Sequence, residues 1–353
     1  MKIVITVGAR PNFVKAAPLV REATKRGNEC ILIHTGQHYD NEMDKVFFKE
    51  LDIPEPDFQL YGVPRSRYVH AIKKTIRMIK PDYSIVLGDT DSSLAAALAS
   101  CKICKTVHIE AGLRSGNRKM KEEFNRVVID HVSDIHFCTE ISAVENLCAE
   151  GISGILVGNV MIDTLSWALE KRINMKAKQV VDINGKYGLL TIHRSEKTDE
   201  DIRKLFDNIE VYLSGHIQII FPVHPRMKKY EEIYANCPGI IPVPPLGYFE
   251  FIDLLNLAEF VITDSGGVQE ESSFLGVPCY TIRDETERPV TVTHGTNKIV
   301  GIDARNLPPE YITRDYEKEI PMWDGKTSER IISFLKGYHD STSRIRYLEY
   351  GKI

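Results

Sequence analysis

Short runs of β-branched and other apolar residues recur along the chain, and each is followed by a segment of helical period. In the first half they fall at residues 2–7, 30–34, 83–87, 106–109, 135–138 and 155–157; they resume at 189–192, 217–221, 240–243, 260–263 and 279–282. This alternation predicts parallel sheets flanked by crossover helices, an α/β fold. At 353 residues and about 150 per domain, two domains are expected. The Lys- and Asn-rich stretch near 171–186 suits a linker. The expected division is therefore a doubly wound domain over 1–170, a second over 187–335, and a C-terminal helical segment over 336–353 that packs back on the first. Two such domains present strand C-terminal ends around a central cleft, so chemistry is expected in the loops after strands. Pro238, Pro242, Pro244 and Pro245 surround one run, which should be short or at a sheet edge. The Ala-rich segment 94–101 predicts a helix packed closely on the sheet.

Composition narrows the partners. Lys plus Arg number 45 against 49 Asp plus Glu, a formal charge of −4, which does not suggest nucleic acid or an anionic membrane. No uncharged apolar run approaches the ~18 residues of a membrane span, and the first apolar run lacks the regions of a signal peptide. The seven cysteines are odd in number and mostly isolated, as in a reducing cytoplasm. The pair Cys101 and Cys104 has no second pair to complete a metal site, and reads as small buried side chains. No metal is expected.

Several strand-to-helix junctions carry polar chemistry. After the first strand, Gly8 to Lys15 forms a glycine turn and helix start bearing Arg10 and Lys15. Helix-start amides and two cations attract phosphate, although a plain turn with solvated charges would read the same way. Asp89 follows the run 83–87, and Glu110 follows 106–109, so both are expected at one sheet edge; Glu122 and Glu123 open the next helix with Asn125 and Arg126 behind them. Carboxylates converging on one cleft raise one another's pKa and supply acid/base groups. Taken singly, Asp89 and Asp91 read as helix caps and the glutamates as an acidic helix start. In the second half His193 leaves a strand in the same manner, and His224 does so between two prolines. Ser265-Gly266-Gly267, followed by Glu270 and Glu271, offers bare amides and a hydroxyl to a diphosphate and a carboxylate to ribose hydroxyls. Arg288 lies in a charged loop one βα unit later.

Together GARPNFVK, LGDTDSSLAAAL, IEAGLRSG, KEEFNR, TIHRSE, PVHP, TDSGGVQEE and RDETERP, in this order from Gly8 to Pro289, closely resemble the non-hydrolysing UDP-N-acetylglucosamine 2-epimerases. The resemblance implies two Rossmann-like domains in a glycosyltransferase-B-like arrangement, usually a homodimer. It implies reversible C2 epimerisation of UDP-GlcNAc to UDP-ManNAc by anti elimination of UDP, a 2-acetamidoglucal intermediate and re-addition, with neither NAD nor metal. By motif, Asp89, Glu110 and Glu122 match the catalytic carboxylates and His193 the functional histidine. Arg10 and Lys15 match nucleotide-sugar contacts, Ser265, Gly266 and Gly267 the diphosphate turn, Glu271 the ribose carboxylate, and Arg288 a further ligand contact. Phe251 lies where the family places an aromatic beside uracil, with Leu246 nearby. Some members bind a second UDP-GlcNAc as activator; Gln37, His38, Arg194 and His224 resemble that site.

Two departures leave the sugar open. Many members read Gly-Thr-Arg-Pro-Glu where this chain has Gly-Ala-Arg-Pro-Asn, and many have proline where this chain has Lys121. Relatives acting on diacetamido-uronic acid versions of the nucleotide sugar therefore stay in view. So do a hydrolysing 2-epimerase, a glycosyltransferase of the same fold and a catalytically silent nucleotide-sugar sensor, since fold alone does not assign a reaction.

Overall fold

The first strand shows why these runs form sheets. Ile3, Val4, Ile5 and Val7 are all fully buried, as a central parallel strand covered on both faces requires. The structure is a computed structural model that describes residues 1–37, 41–118, 120–173, 185–193, 197–213, 217–302 and 319–350. Most of the expected linker, residues 174–184, lies outside the described residues.

Contacts divide the chain into two units. The first comprises Met1–Trp167 and Pro321–Ile353. Its strands are β1 (Lys2–Val7), β2 (Glu29–His34), β3 (Phe58–Gln59), β4 (Tyr83–Leu87), β5 (Lys105–Ile109), β6 (Ile135–Cys138) and β7 (Ile155–Leu156). They form one parallel sheet in the order β3-β2-β1-β4-β5-β6-β7. The order reverses between β1 and β4, the switch point at which doubly wound sheets bind ligands. Register aligns Val7 with His34 and Leu87 with Ile109, so Gly8, Gly88 and Glu110 leave the sheet at one edge. The helix Asp91–Ser100 buries Ala95, Ala96, Ala97 and Ala99. Thr90, not Asp91, caps it, with Thr90 Oγ1 accepting from Ser93 N at 3.2 Å.

Residues 321–335 differ from the expected division, which assigned them to the second domain. They belong to the first unit by their bonds. Trp323 Nε1 donates to Thr139 O at 3.0 Å, Thr327 N and Ser328 N donate to the Asp163 carboxylate at 3.0 and 2.6 Å, and Tyr83 OH donates to Leu335 O at 3.2 Å. These contacts tie the start of the final helix, Thr327–Tyr350, to elements more than 150 residues away in sequence, which local periodicity does not report.

The second unit is Ala168–Ile320. Strands β8 (Tyr187–Thr191), β9 (Gln218–Pro222), β10 (Ile240–Val243), β11 (Phe260–Thr263), β12 (Cys279–Thr281) and β13 (Asn297–Ile299) form a parallel sheet ordered β10-β9-β8-β11-β12-β13, the strand order of a Rossmann fold. The proline-flanked β10 is at the edge, where a missing amide is tolerated. Thr191 pairs with Thr263 at the switch point, their hydroxyls 2.6 Å apart. Edge strands β3 and β13 carry no long apolar run, and the alternation of apolar runs does not mark them. Among the described residues no helix is long and apolar enough to cross a membrane.

Candidate active site

In the first unit the site is built around Gly88. Its φ is +60°, and a Cβ there would lie 2.9 Å from Glu110 Oε2 and 3.0 Å from Lys15 Nζ. The positive φ favours glycine, and a side chain there would push on the charged ends of this pair. Lys15 Nζ donates to Glu110 Oε2, and both side chains are almost fully buried. Glu110 adopts φ +72°, a left-handed conformation that costs a non-glycine residue of order 1–3 kcal/mol and persists only where its surroundings dictate it.

Asp89 follows Gly88 directly and accepts from Arg126 Nη2. Arg126 is 2% exposed and also donates through Nη1 to Glu123 Oε2 at 2.6 Å. Glu123 further accepts from Ser115 N, Ser115 Oγ and Gly116 N at 2.9, 3.0 and 3.1 Å. Burial pushes the Glu123 carboxyl up, but these amides and Arg126 outweigh it and hold it below the usual range. Glu123 is therefore an ionised anchor. Its neighbour Glu122 is half-buried.

Asn12 uses both ends of its side-chain amide. Its Oδ1 accepts from Gly8 N and Ala9 N, each at 3.2 Å, while its Nδ2 donates to Leu87 O at 3.1 Å. An amide both accepts and donates, which a carboxylate does not. Asn12 thus ties the first helix start to the end of β4. Arg10, the first residue of the helix Arg10–Lys25, is half-buried with its guanidinium 5.6 Å above the Phe47 ring.

In the second unit His193 follows β8 and Asp264 follows β11. Asp264 is fully buried and its Oδ1 lies 2.8 Å from His193 Nδ1, while the histidine side chain is 43% exposed. Ser265 caps the helix Gly266–Phe274, with Val268 N donating to Ser265 Oγ at 3.5 Å. Beneath this turn lies Arg288: a Cβ on Gly266 would meet its Nη1 at 2.4 Å. Arg288 donates through Nε to Glu270 at 2.6 Å and pairs through Nη1 with Glu287 at 2.8 Å. Glu271 is 3% exposed and accepts from Tyr248 OH at 3.0 Å. Burial pushes its carboxyl up to about 8, with Glu270 adding to the rise and Tyr248 opposing it. Phe251, on the helix Tyr248–Leu257, and Leu246 just before it are half-buried.

The structure brings Lys15, Glu110 and Asp89 to one sheet edge, and His193 and Ser265 to another. Of the residues resembling an activator site, Gln37 Oε1 accepts from Ser92 N and Ser92 Oγ at 2.9 and 2.8 Å. His224 Nδ1 accepts from Arg226 N at 3.3 Å, and its ring centroid is 6.1 Å from that of His193. His38 and Arg194 lie outside the described residues. The sequence reading gave no role to Asp264, Arg126 or Asn12. Asp264 stands beside a strand end, which was the available signal; Asn12 lies in the first turn of one helix and Arg126 inside another, and their partners Leu87 and Asp89 come from other βα units. Among the described residues no group of three or more His, Cys, Asp and Glu is arranged to hold a metal.

Known proteins resemble this chain over most of its length. A model of the family described as UDP-N-acetylglucosamine 2-epimerase matches residues 21–336. A Methanococcus maripaludis protein named UDP-N-acetylglucosamine 2-epimerase homolog is 46% identical, over 95% of this chain and 99% of its own. The UDP-2,3-diacetamido-2,3-dideoxy-D-glucuronate 2-epimerase of Pseudomonas aeruginosa is 37% identical, over 95% and 99%. The crystal structure of Methanocaldococcus jannaschii UDP-GlcNAc 2-epimerase in complex with UDP-GlcNAc and UDP superposes with a TM-score of 0.86 at 38% identity, covering 95% of this chain and 99% of that one. The resemblance carried by the eight motifs is borne out.

Proposed function

The chain belongs to the UDP-N-acetylglucosamine 2-epimerase family, and on that footing we propose that it interconverts UDP-GlcNAc and UDP-ManNAc by elimination and re-addition of UDP. The C2 proton of the sugar has no adjacent carbonyl to acidify it. Removing it alone would place charge on carbon. If a carboxylate takes that proton while the C1–O bond to UDP breaks, the electron pair of the C2–H bond becomes the C1=C2 double bond. The C1–O pair leaves with the diphosphate, giving 2-acetamidoglucal and UDP. Delivery of a proton to the opposite face of C2 and attack of UDP on C1 then complete the epimer.

The observation that carries this reading is Glu110: a buried carboxylate at a strand end, paired with Lys15, on a residue whose backbone conformation is one reserved for constrained sites. Asp89 and Glu122 are the other proton-transfer groups in this proposal. His193 and the Ser265-Gly266-Gly267 turn would stabilise the departing diphosphate, and Arg10 and Lys15 are assigned nucleotide-sugar contacts by their motif match. Glu271 takes the ribose, Leu246 and Phe251 flank the base, and Arg288 supports the turn from beneath.

Incubation with UDP-GlcNAc in deuterated water tests the proposal. Both epimers should acquire one deuterium at C2 with UDP retained, and Glu110→Gln should bind UDP while turning over roughly 100- to 10,000-fold more slowly. Epimerised product bearing only its original hydrogen would refute proton exchange. Release of free ManNAc and UDP would indicate a hydrolase. Running the diacetamido-uronic acid nucleotide alongside addresses the substrate of the Pseudomonas relative. A homodimer with a second UDP-GlcNAc acting through Gln37, His38, Arg194 and His224 belongs to the same reading, and sigmoidal rates in the UDP-ManNAc direction, removed by added UDP-GlcNAc, would support the activator site.

A further inference from the structure

The Glu110 backbone is bracketed by a single carboxylate that never meets solvent. Asp130, on the helix Lys121–Val132, has a fully buried side chain. Its Oδ1 lies 2.6 Å from Nδ1 of His108, two residues before Glu110, and its Oδ2 accepts from the amide of Gly112, two residues after, at 3.2 Å. The other ring nitrogen of His108, itself fully buried, lies 3.1 Å from the carbonyl oxygen of Gly88, the residue before Asp89. Asp130 is fixed in turn by Arg114, whose Nη1 donates to Oδ2 at 2.8 Å while its Nε and Nη2 donate to the two Glu150 oxygens, each at 2.8 Å. A continuous chain thus runs from Glu150 through Arg114, Asp130 and His108 to the Gly88 carbonyl.

We propose that His108 and Asp130 are positioning residues that set Asp89 and Glu110 against each other, by clamping the two strand-end loops from the side opposite the substrate. This rests on the epimerase reading above. Neither side chain is accessible to a sugar, so neither acts on it directly. The strained φ of Glu110 needs a device to hold it, and the two Asp130 oxygens grip the chain on either side of that residue. The same clamp reaches the loop that carries Asp89. Burial pushes the Asp130 carboxyl up, but His108 and Arg114 outweigh it, so Asp130 remains an anion able to accept all these bonds.

The test is His108→Gln and Asp130→Asn in the full-length chain. Both should bind UDP as the wild type does. In deuterated water, kcat for C2 exchange should fall roughly 10- to 100-fold with KM changed by less than about threefold, since displacement of catalytic groups by about 1 Å suffices for such losses. A raised KM at unchanged kcat, or a kcat within about twofold of wild type in folded protein, would overturn the positioning role. If Asp130→Asn does not fold, His108→Gln carries the test, because it leaves Asp130 paired with Arg114. A wild-type protein that exchanges nothing sinks the epimerase reading instead. The crystal structure of His108→Gln then decides separately: Glu110 still at its left-handed φ and still paired with Lys15 overturns the clamp, and Glu110 relaxed from that conformation upholds it.

Discussion

Asp264 holds His193 at two points. Its Oδ1 lies 2.8 Å from the imidazole Nδ1, and its two oxygens accept the His193 backbone amide at 3.2 and 3.1 Å. With the ring fixed at Nδ1, Nε2 is the nitrogen left to face a ligand, and Asp264 selects the tautomer that presents it. Asp264→Asn should therefore fold, and kcat should fall roughly 10- to 100-fold. Steady-state kinetics on Asp264→Asn beside His193→Ala checks this. Full activity of the first with loss in the second would remove Asp264 from the mechanism.

Gly88→Ala places a methyl group 2.9 Å from Glu110 Oε2 at a φ of +60°. Backbone strain and displacement of the Lys15–Glu110 pair act together. We expect a stability loss of about 1–3 kcal/mol in urea denaturation, with turnover reduced more than UDP affinity. An alanine variant of wild-type stability and rate would contradict the space argument.

Glu271 gives the unliganded protein a pH dependence opposite to that of most carboxylates. Its folded pKa is raised from 4.5 to about 8, so the folded state binds the proton more tightly than the unfolded chain. The contribution is fully present below about pH 4.5 and is lost as pH rises through about 8, with a slope of at most about 1.4 kcal/mol per pH unit. Denaturation midpoints from pH 5 to 9 should show a decline in wild type that is flatter in Glu271→Gln. Parallel curves for the two proteins would count against it.

Asp163 anchors the final helix by accepting from the amides of Thr327 and Ser328. Removing it with Asp163→Ala leaves two buried helix-start amides without their acceptor, at a cost of about 1–2 kcal/mol. Amide hydrogen exchange over residues 327–335 should accelerate ahead of the sheet, and unchanged protection there would disprove the anchor.

The positions of the strand-end loops are legible because a strand buried on both faces demands a continuous run rich in β-branched and other apolar residues, and Ile3 to Val7 or Tyr83 to Leu87 can satisfy little else. Where such a run stops, a loop begins, so Asp89, Glu110, His193 and Ser265 were readable as strand-end residues. Strands β3 and β13, two and three residues long at sheet edges, bury too little to leave that imprint. The partners were not legible. Lys15 reaches Glu110 across 95 positions and Arg126 reaches Asp89 across 37, distances at which hydrophobic periodicity carries no information. The chain alone determined which segments are strands and which side chains stand at their ends. Tertiary structure decided which of those ends are neighbours, that Arg288 supports a glycine turn through Glu270 and Glu287, and that the last helix joins the first unit. Burial pattern is a local property of sequence, whereas a hydrogen bond between buried polar groups exists only once strand order has brought its two halves within about 3 Å.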